Sequence, residues 1–293
     1  MNTDKNEKYY VPSHSYWPII ACIGLFFAAI GLVQTLHSHK TGLLILSLGL
    51  GIIFFMFFGW FRDVIRESLT GKYSNQMNKT FRWGMIWFIF SEIFFFGAFF
   101  GALFYARKLS LPLIGGVHGY KLSTHEFLYP TFQFSWPLLK SPNISLFPEA
   151  LGYVKGWGLP TLNTILLLSS GVTITLAHKF LIQKNKTISS FWLMITMLLG
   201  WAFLFCQYLE YHHAIYEMNL TLNSGIYGST FYMLTGFHGA HVLIGSIMLL
   251  VMTIRSIKGH FLGENHFAFE ATAWYWHFVD VVWLILFTFV YCL

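Results

Sequence analysis

The stretch Phe269–Leu293, FEATAWYWHFVDVVWLILFTFVYCL, decides the fold. As a helix it is long enough to cross a bilayer, which takes about 20 largely apolar residues. Yet it carries Glu270, His277 and Asp280 among large apolar side chains. At helical spacing Glu270, Trp274 and His277 share one face, with Asp280 one turn on. An ionisable group at mid-bilayer depth costs about 2.5–3.5 kcal/mol on insertion scales, so such groups turn toward protein partners. This segment is therefore one helix of a bundle.

Composition agrees. The chain has 293 residues, 56% hydrophobic, 20% aromatic and 10% charged, with a mean hydropathy of +0.58. A soluble domain carries about 25% charge, so these values predict a polytopic membrane protein. The net charge of +6 calls for no nucleic acid, because Lys and Arg at membrane edges account for it. Cys22, Cys206 and Cys292 are scattered, without a CxxC pair or a disulfide framework. The N-terminal MNTDKNEKYYVPSHSYWP has neither an apolar signal core nor the Arg-rich pattern of a transit peptide.

Seven apolar segments are long enough to span: about 15–37, 41–61, 81–107, 159–182, 190–212, 232–256 and 269–291. The expected fold is all-α, with a single membrane domain over 1–293. Within it the short LHSHKTG turn makes 15–61 a two-helix hairpin. Residues 62–80 form a charged cytoplasmic linker, and 81–293 hold five helices. The segment at about 108–158 contains Pro112, Pro130, Pro137, Pro142 and Pro148 and is expected to run over one membrane face.

One side of seven spans collects Lys5, Lys8, the basic residues of the Arg62–Arg82 linker, Lys179, Lys184, Lys186, Arg255 and Lys258. The other holds Lys40, Arg107, Lys108, Lys121, Lys140 and Lys155. Cytoplasmic loops carry the excess of Lys and Arg, so the N-terminus is expected inside and the C-terminus outside.

Three groups of residues are candidates for chemistry. Glu92, in FIFSEIFFFGAFF, sits mid-span with no charge nearby in sequence except Arg82. It reads either as a proton-linked carboxyl or as an acid hydrogen-bonded to a neighbouring helix. His238 and His241 (GFHGAHVLIG), Glu210 with His213, and His277 with Asp280 invite a metal reading. A ferritin-like di-iron site needs a second Glu-x-x-His, which is missing. Gly236, Gly239, Ala240 and Gly245 among the histidines favour close helix packing with structural hydrogen bonds. Glu210, His238, His241, Glu270, His277 and Asp280 are therefore expected to be internal polar packing, with no metal and no catalytic residue. Trp60, Arg66 and Glu67 in GWFRDVIRESL, with Arg255, Lys258 and His260 in RSIKGHF, are placed to meet lipid head groups or to act as ordinary interfacial anchors.

Three blocks carry a resemblance: GWFRDVIRESL with FRWGMIWFIFSEIFFFGAFF; GLPTLNTILLLSSGVTITLAH; and YGSTFYMLTGFHGAHVLIGS through FAFEATAWYWHFVDVVWL. Together they resemble subunit III of the heme-copper cytochrome c oxidases over most of the chain. The resemblance implies seven transmembrane helices, with a two-helix hairpin separated by a lipid-filled cleft from a five-helix bundle. It implies a subunit without heme or copper, those centres lying in partner subunits I and II, which oxidise cytochrome c, reduce dioxygen to water and pump protons. It further implies bound phospholipid, packing on subunit I, and support of proton uptake and turnover stability. By residue match Glu92 is similar to the family's buried membrane carboxyl, and Trp60, Arg66, Glu67, Arg255, Lys258 and His260 to its lipid-head contacts.

The ending FFGALFYARKL of the third helix looks bacterial, which implies a bacterial inner membrane. The segment at about 108–150 departs from the family's shorter connection. The first two spans, with RDVIRE intact, favour a cytochrome c oxidase over the quinol-oxidising relatives. Outside the resemblance, the competing readings are a metalloprotein liganded by His238, His241, His277 and Glu210, and a proton-coupled transporter built on Glu92 and Asp280. The odd span count argues against the transporter.

Overall fold

The computed structural model describes residues 10–11, 14–117, 122–143, 145–261 and 266–293. Lys5, Lys8 and Lys121, used above in the charge comparison, lie outside them. The helices are α1 (Trp17–Leu36), α2 (Gly42–Leu69), α3 (Asn75–Tyr105), α4 (Leu111–Ile114), α5 (Leu122–Leu128), α6 (Leu159–Ile182), α7 (Lys186–Tyr216), α8 (Ile226–Ile257) and α9 (Phe267–Leu286). A π-helical turn, Ala106–Ser110, joins α3 to α4, and another, Phe287–Cys292, ends α9. Seven helices among the described residues are long and apolar enough to cross a membrane, in the order and number expected.

α6 matches the hydropathy reading and α1 is slightly shorter, but several other helices run past it. α2 continues to Leu69, so the first part of the expected linker is helix, and α3 begins at Asn75. α7 and α8 likewise overrun the apolar cores of their spans. A hydropathy window sees only the segment that must avoid water, while helix propensity continues through polar residues beyond it. The α2 extension also places Arg66 in the last turn, where a cation opposes the helix dipole.

The chain divides into two compact units, 1–81 and 82–293, with the boundary inside α3. In the first, α1 and α2 pack through glycines. A Cβ on Gly31 would lie 2.2 Å from the Leu46 nitrogen, and one on Gly49 would lie 2.3 Å from the Ala28 nitrogen. Small residues let backbones approach in lipid, where dispersion replaces the hydrophobic effect as the packing force. At the other end of the hairpin, Trp17 Nε1 donates to Asp63 Oδ2 at 2.9 Å.

In the second unit α9 is the most buried span. Trp276 and Trp283 on it are fully enclosed. Each indole also donates to α6: Trp276 Nε1 to Ser170 Oγ at 2.8 Å, and Trp283 Nε1 to Thr164 Oγ1 at 2.9 Å. Both hydroxyls pass their own protons to carbonyls of α6, Leu167 and Pro160, so every donor is used. Similar polar rungs join α6 to α7 (Thr173–Thr196, 2.8 Å) and α7 to α8 (Ser190–Ser256, 2.7 Å; Tyr211–Thr235, 2.7 Å). α3 meets α8 and α9 through aromatic rings: Phe95 and Phe99 on Phe237, Phe96 on His241 and Phe278, and Phe88 on Tyr275.

The segment between α4 and α6 packs against the ends of α7 and α8. Phe132, Leu138 and Val154 are buried, and Trp136 stands edge-on to Tyr227. The Leu151 amide donates to the Met218 carbonyl at 2.8 Å, and Asn219 Nδ2 to the Glu149 carbonyl at 3.1 Å.

Candidate functional site

Glu92 is not isolated in space. Its Oε2 lies 2.9 Å from His241 Nε2 on α8, and both side chains are largely buried. The rings of Phe95, Phe96 and Tyr275 surround the imidazole. His241 Nδ1 faces the Phe237 carbonyl at 2.6 Å. A carbonyl only accepts, so Nδ1 carries a proton and Nε2 shares one proton with the carboxyl. The pair is neutral overall wherever that proton rests. An apolar setting tolerates such an arrangement far better than a lone charge, and it can take up or release a single proton at a defined atom. Sequence spacing could not show this, because the partners are 149 positions apart.

His238, His241, His277 and His213 do not converge on a common point. His238 is fully buried between Phe203 and Trp283, and its Nε2 faces the Val279 carbonyl at 3.2 Å. His277 turns to Thr175 on α6. Glu210 points inward and accepts from Tyr291 Oη at 2.6 Å, whereas His213 points outward to Glu217. The shared face of Glu270 and His277 is divided between two neighbourhoods. Glu270 lies at the start of α9 against Arg82, 2.8 Å away, and His266, 3.2 Å away, while Asp280 rests on Gly171 of α6.

The sequence reading missed one cluster. His178, His266 and Glu270 bring three ligand atoms within 4.8 Å of one another, the one such group found among the described residues. The available signal was the i, i+4 pair His266–Glu270 at the start of the last span. Arg82 already holds the Glu270 carboxylate through both oxygens, so a cation there competes with a charge-assisted hydrogen bond.

The expected lipid-contact residues divide by exposure. Trp60, Arg66 and Lys258 are open. Both oxygens of Glu67 are taken, one by Tyr10 Oη at 3.0 Å and the other by Tyr73 Oη at 2.9 Å. Burial and then Glu67 hold the Tyr73 phenol well above its usual value, so it stays a donor. Arg255 is only 6% exposed, with its guanidinium 4.8 Å from the centre of the Phe261 ring. His260 is held below the ordinary histidine value by burial, with Arg255 and Lys258 adding to the effect.

A family model described as Cytochrome c oxidase subunit III matches residues 7–118 and 141–293. The chain belongs to the cytochrome c oxidase subunit III family. Curated relatives named cytochrome c oxidase subunit 3 agree along nearly the whole length. That of Marchantia polymorpha is 39% identical over 292 residues, covering 99% of this chain and 98% of the relative. Those of Gadus morhua and Dugong dugon are 38% and 39% identical over 290 residues, with the same coverage. The stretch the subunit III model leaves unmatched, 119–140, falls inside the segment whose sequence departs from the family and contains α5. The helical, multi-pass architecture is that of a subunit III.

Proposed function

We propose that this chain is the non-redox subunit III of a proton-pumping cytochrome c oxidase. It joins subunits I and II, which hold the heme and copper, and cytochrome c reaches the complex through another subunit. The chain binds phospholipid, packs on subunit I, and supports proton uptake and turnover stability. The family match over nearly the full chain carries this reading. The neutral Glu92–His241 pair supports the proton-linked part, since it is a single-proton site within the spans. The Lys and Arg distribution supports a cytoplasmic N-terminus and a periplasmic C-terminus. The ending of the third helix, FFGALFYARKL, supports a bacterial inner membrane.

Isolation of the tagged chain in mild detergent is expected to yield a complex with larger partner chains that oxidises reduced cytochrome c. Activity with quinol alone would contradict the reading. For lipid, the exposed cations make the prediction. Arg66→Ala combined with Lys258→Ala should lower the phospholipid phosphorus that copurifies per chain, and unchanged lipid would reject those contacts.

A further inference from the structure

The cluster of His178, His266 and Glu270 has no part in the function proposed above. His178 lies in the last turns of α6, while His266 and Glu270 flank the start of α9. Both places are at the edges of their spans, where ions in water can reach them. The rings of His178 and His266 are 5.4 Å apart, centre to centre. Phe269 stacks on the His178 ring at 5.3 Å and holds its plane. His178 Nε2 is buried without a hydrogen-bond partner among the described residues.

The spacing suits a small metal ion. The three ligand atoms lie within 4.8 Å of one another, and His266 Nε2 is 3.2 Å from Glu270 Oε1. With zinc–ligand bonds of about 2.0–2.2 Å, the edge of a tetrahedron is about 3.3–3.5 Å. The α9 pair already has that spacing, so His178 needs to approach by no more than about 1.5 Å. Two imidazoles and a carboxylate form a zinc set that leaves the fourth position to water. Calcium and magnesium take shells of oxygen, which two nitrogens in three ligands do not supply.

Arg82 is the present counter-charge. Its Nη2 lies 3.1 Å and 2.8 Å from the two Glu270 oxygens, and its side chain is 50% exposed against 13% for Glu270. The guanidinium can therefore swing into water while the carboxylate stays in place, and a half-exposed ion pair resists this only weakly.

We propose that His178, His266 and Glu270 form a zinc site, and that Arg82 holds the carboxylate in the metal-free state. Zinc takes the unused Nε2 of His178 and replaces the guanidinium on Glu270. It also needs the Nε2 lone pair of His266, so the proton there moves to Nδ1 or to water. The ion pair between α3 and α9 then exists only without the metal, and zinc uncouples the two helices at this end. Zinc is redox-inert, so the site neither depends on the non-redox oxidase reading nor disturbs it.

Zinc alone is the probe. The purified complex, freed of loosely held metal by brief chelation, is titrated with zinc, and bound zinc per chain is measured. X-ray absorption of the bound zinc is expected to show imidazole nitrogen and oxygen ligands at about 2.0–2.1 Å. His178→Gln should weaken the site by at least about tenfold. Arg82→Gln should tighten it by about two- to fivefold, the worth of a half-exposed ion pair. A cluster with only a structural role would not gain affinity when Arg82 is lost. Heme per chain equal to wild type shows that the variants assemble, and where His178→Gln lowers it, His266→Gln takes its place with the same expectation. Zinc affinity unchanged by loss of the histidine, or no tighter in Arg82→Gln, overturns the assignment.

Discussion

Trp276→Ala is expected to destabilise the second unit by about 3–5 kcal/mol, the cost of emptying a fully enclosed aromatic site. The indole fills the space left by Gly200 and Gly245, where added Cβ atoms would lie 2.7 Å and 2.8 Å from it. Those glycines cannot move in to close the cavity, because their helices are held by the Ser190–Ser256 and Tyr211–Thr235 rungs. Ser170 also loses the indole as a donor. Trp276→Phe keeps most of the volume and should lose only about 1–2 kcal/mol, the indole hydrogen bond and part of the packing. Thermal unfolding of the purified complex in detergent separates the two variants. Equal melting for alanine and wild type would contradict the central place given to α9.

The Glu92–His241 pair makes the second prediction. His241→Leu leaves a largely buried carboxyl without the hydrogen bond that His241 supplies, and should cost about 1–3 kcal/mol. Glu92→Gln should not. Its amide N–H can donate to Nε2 in the tautomer that the Phe237 carbonyl fixes, so stability should stay within about 1 kcal/mol of wild type. Glu92→Gln thereby tests the proton without disturbing the fold. If the pair serves proton uptake, the variant assembles normally and loses either turnover rate or durability over repeated turnovers. Wild-type kinetics on both counts would leave the pair a structural role only.

Much of this architecture is legible in the amino-acid order. Apolar runs of spanning length mark the seven membrane-length helices among the described residues, because hydrocarbon permits no shorter solution, and the turn LHSHKTG marks the hairpin. Glu210 and His238 are buried in the structure, and glycine and alanine beside a histidine on a span are the signal in the sequence for close helix contact. What could not be read was pairing. Glu92 looks solitary because its partner lies on a helix distant in sequence, and Glu270 looks grouped with His277 because periodicity assigns a face without saying which neighbour covers it. Glu67 and Arg255 look like free interfacial charges, yet Tyr10 and Tyr73 occupy one and Phe261 covers the other. Such contacts depend on which helix ends meet, which composition and period do not encode.

The central claim is that this chain serves an oxidase without holding its redox centres. It is tested most directly by purifying the tagged chain in mild detergent and recording the optical spectrum and metal content before and after the chain is separated from its partners. Heme and copper are expected in the complex and are expected to leave with the partner chains. Heme, copper or iron remaining on the separated chain at about one per chain would contradict the claim and return the histidines of α8 and α9 to the status of ligands.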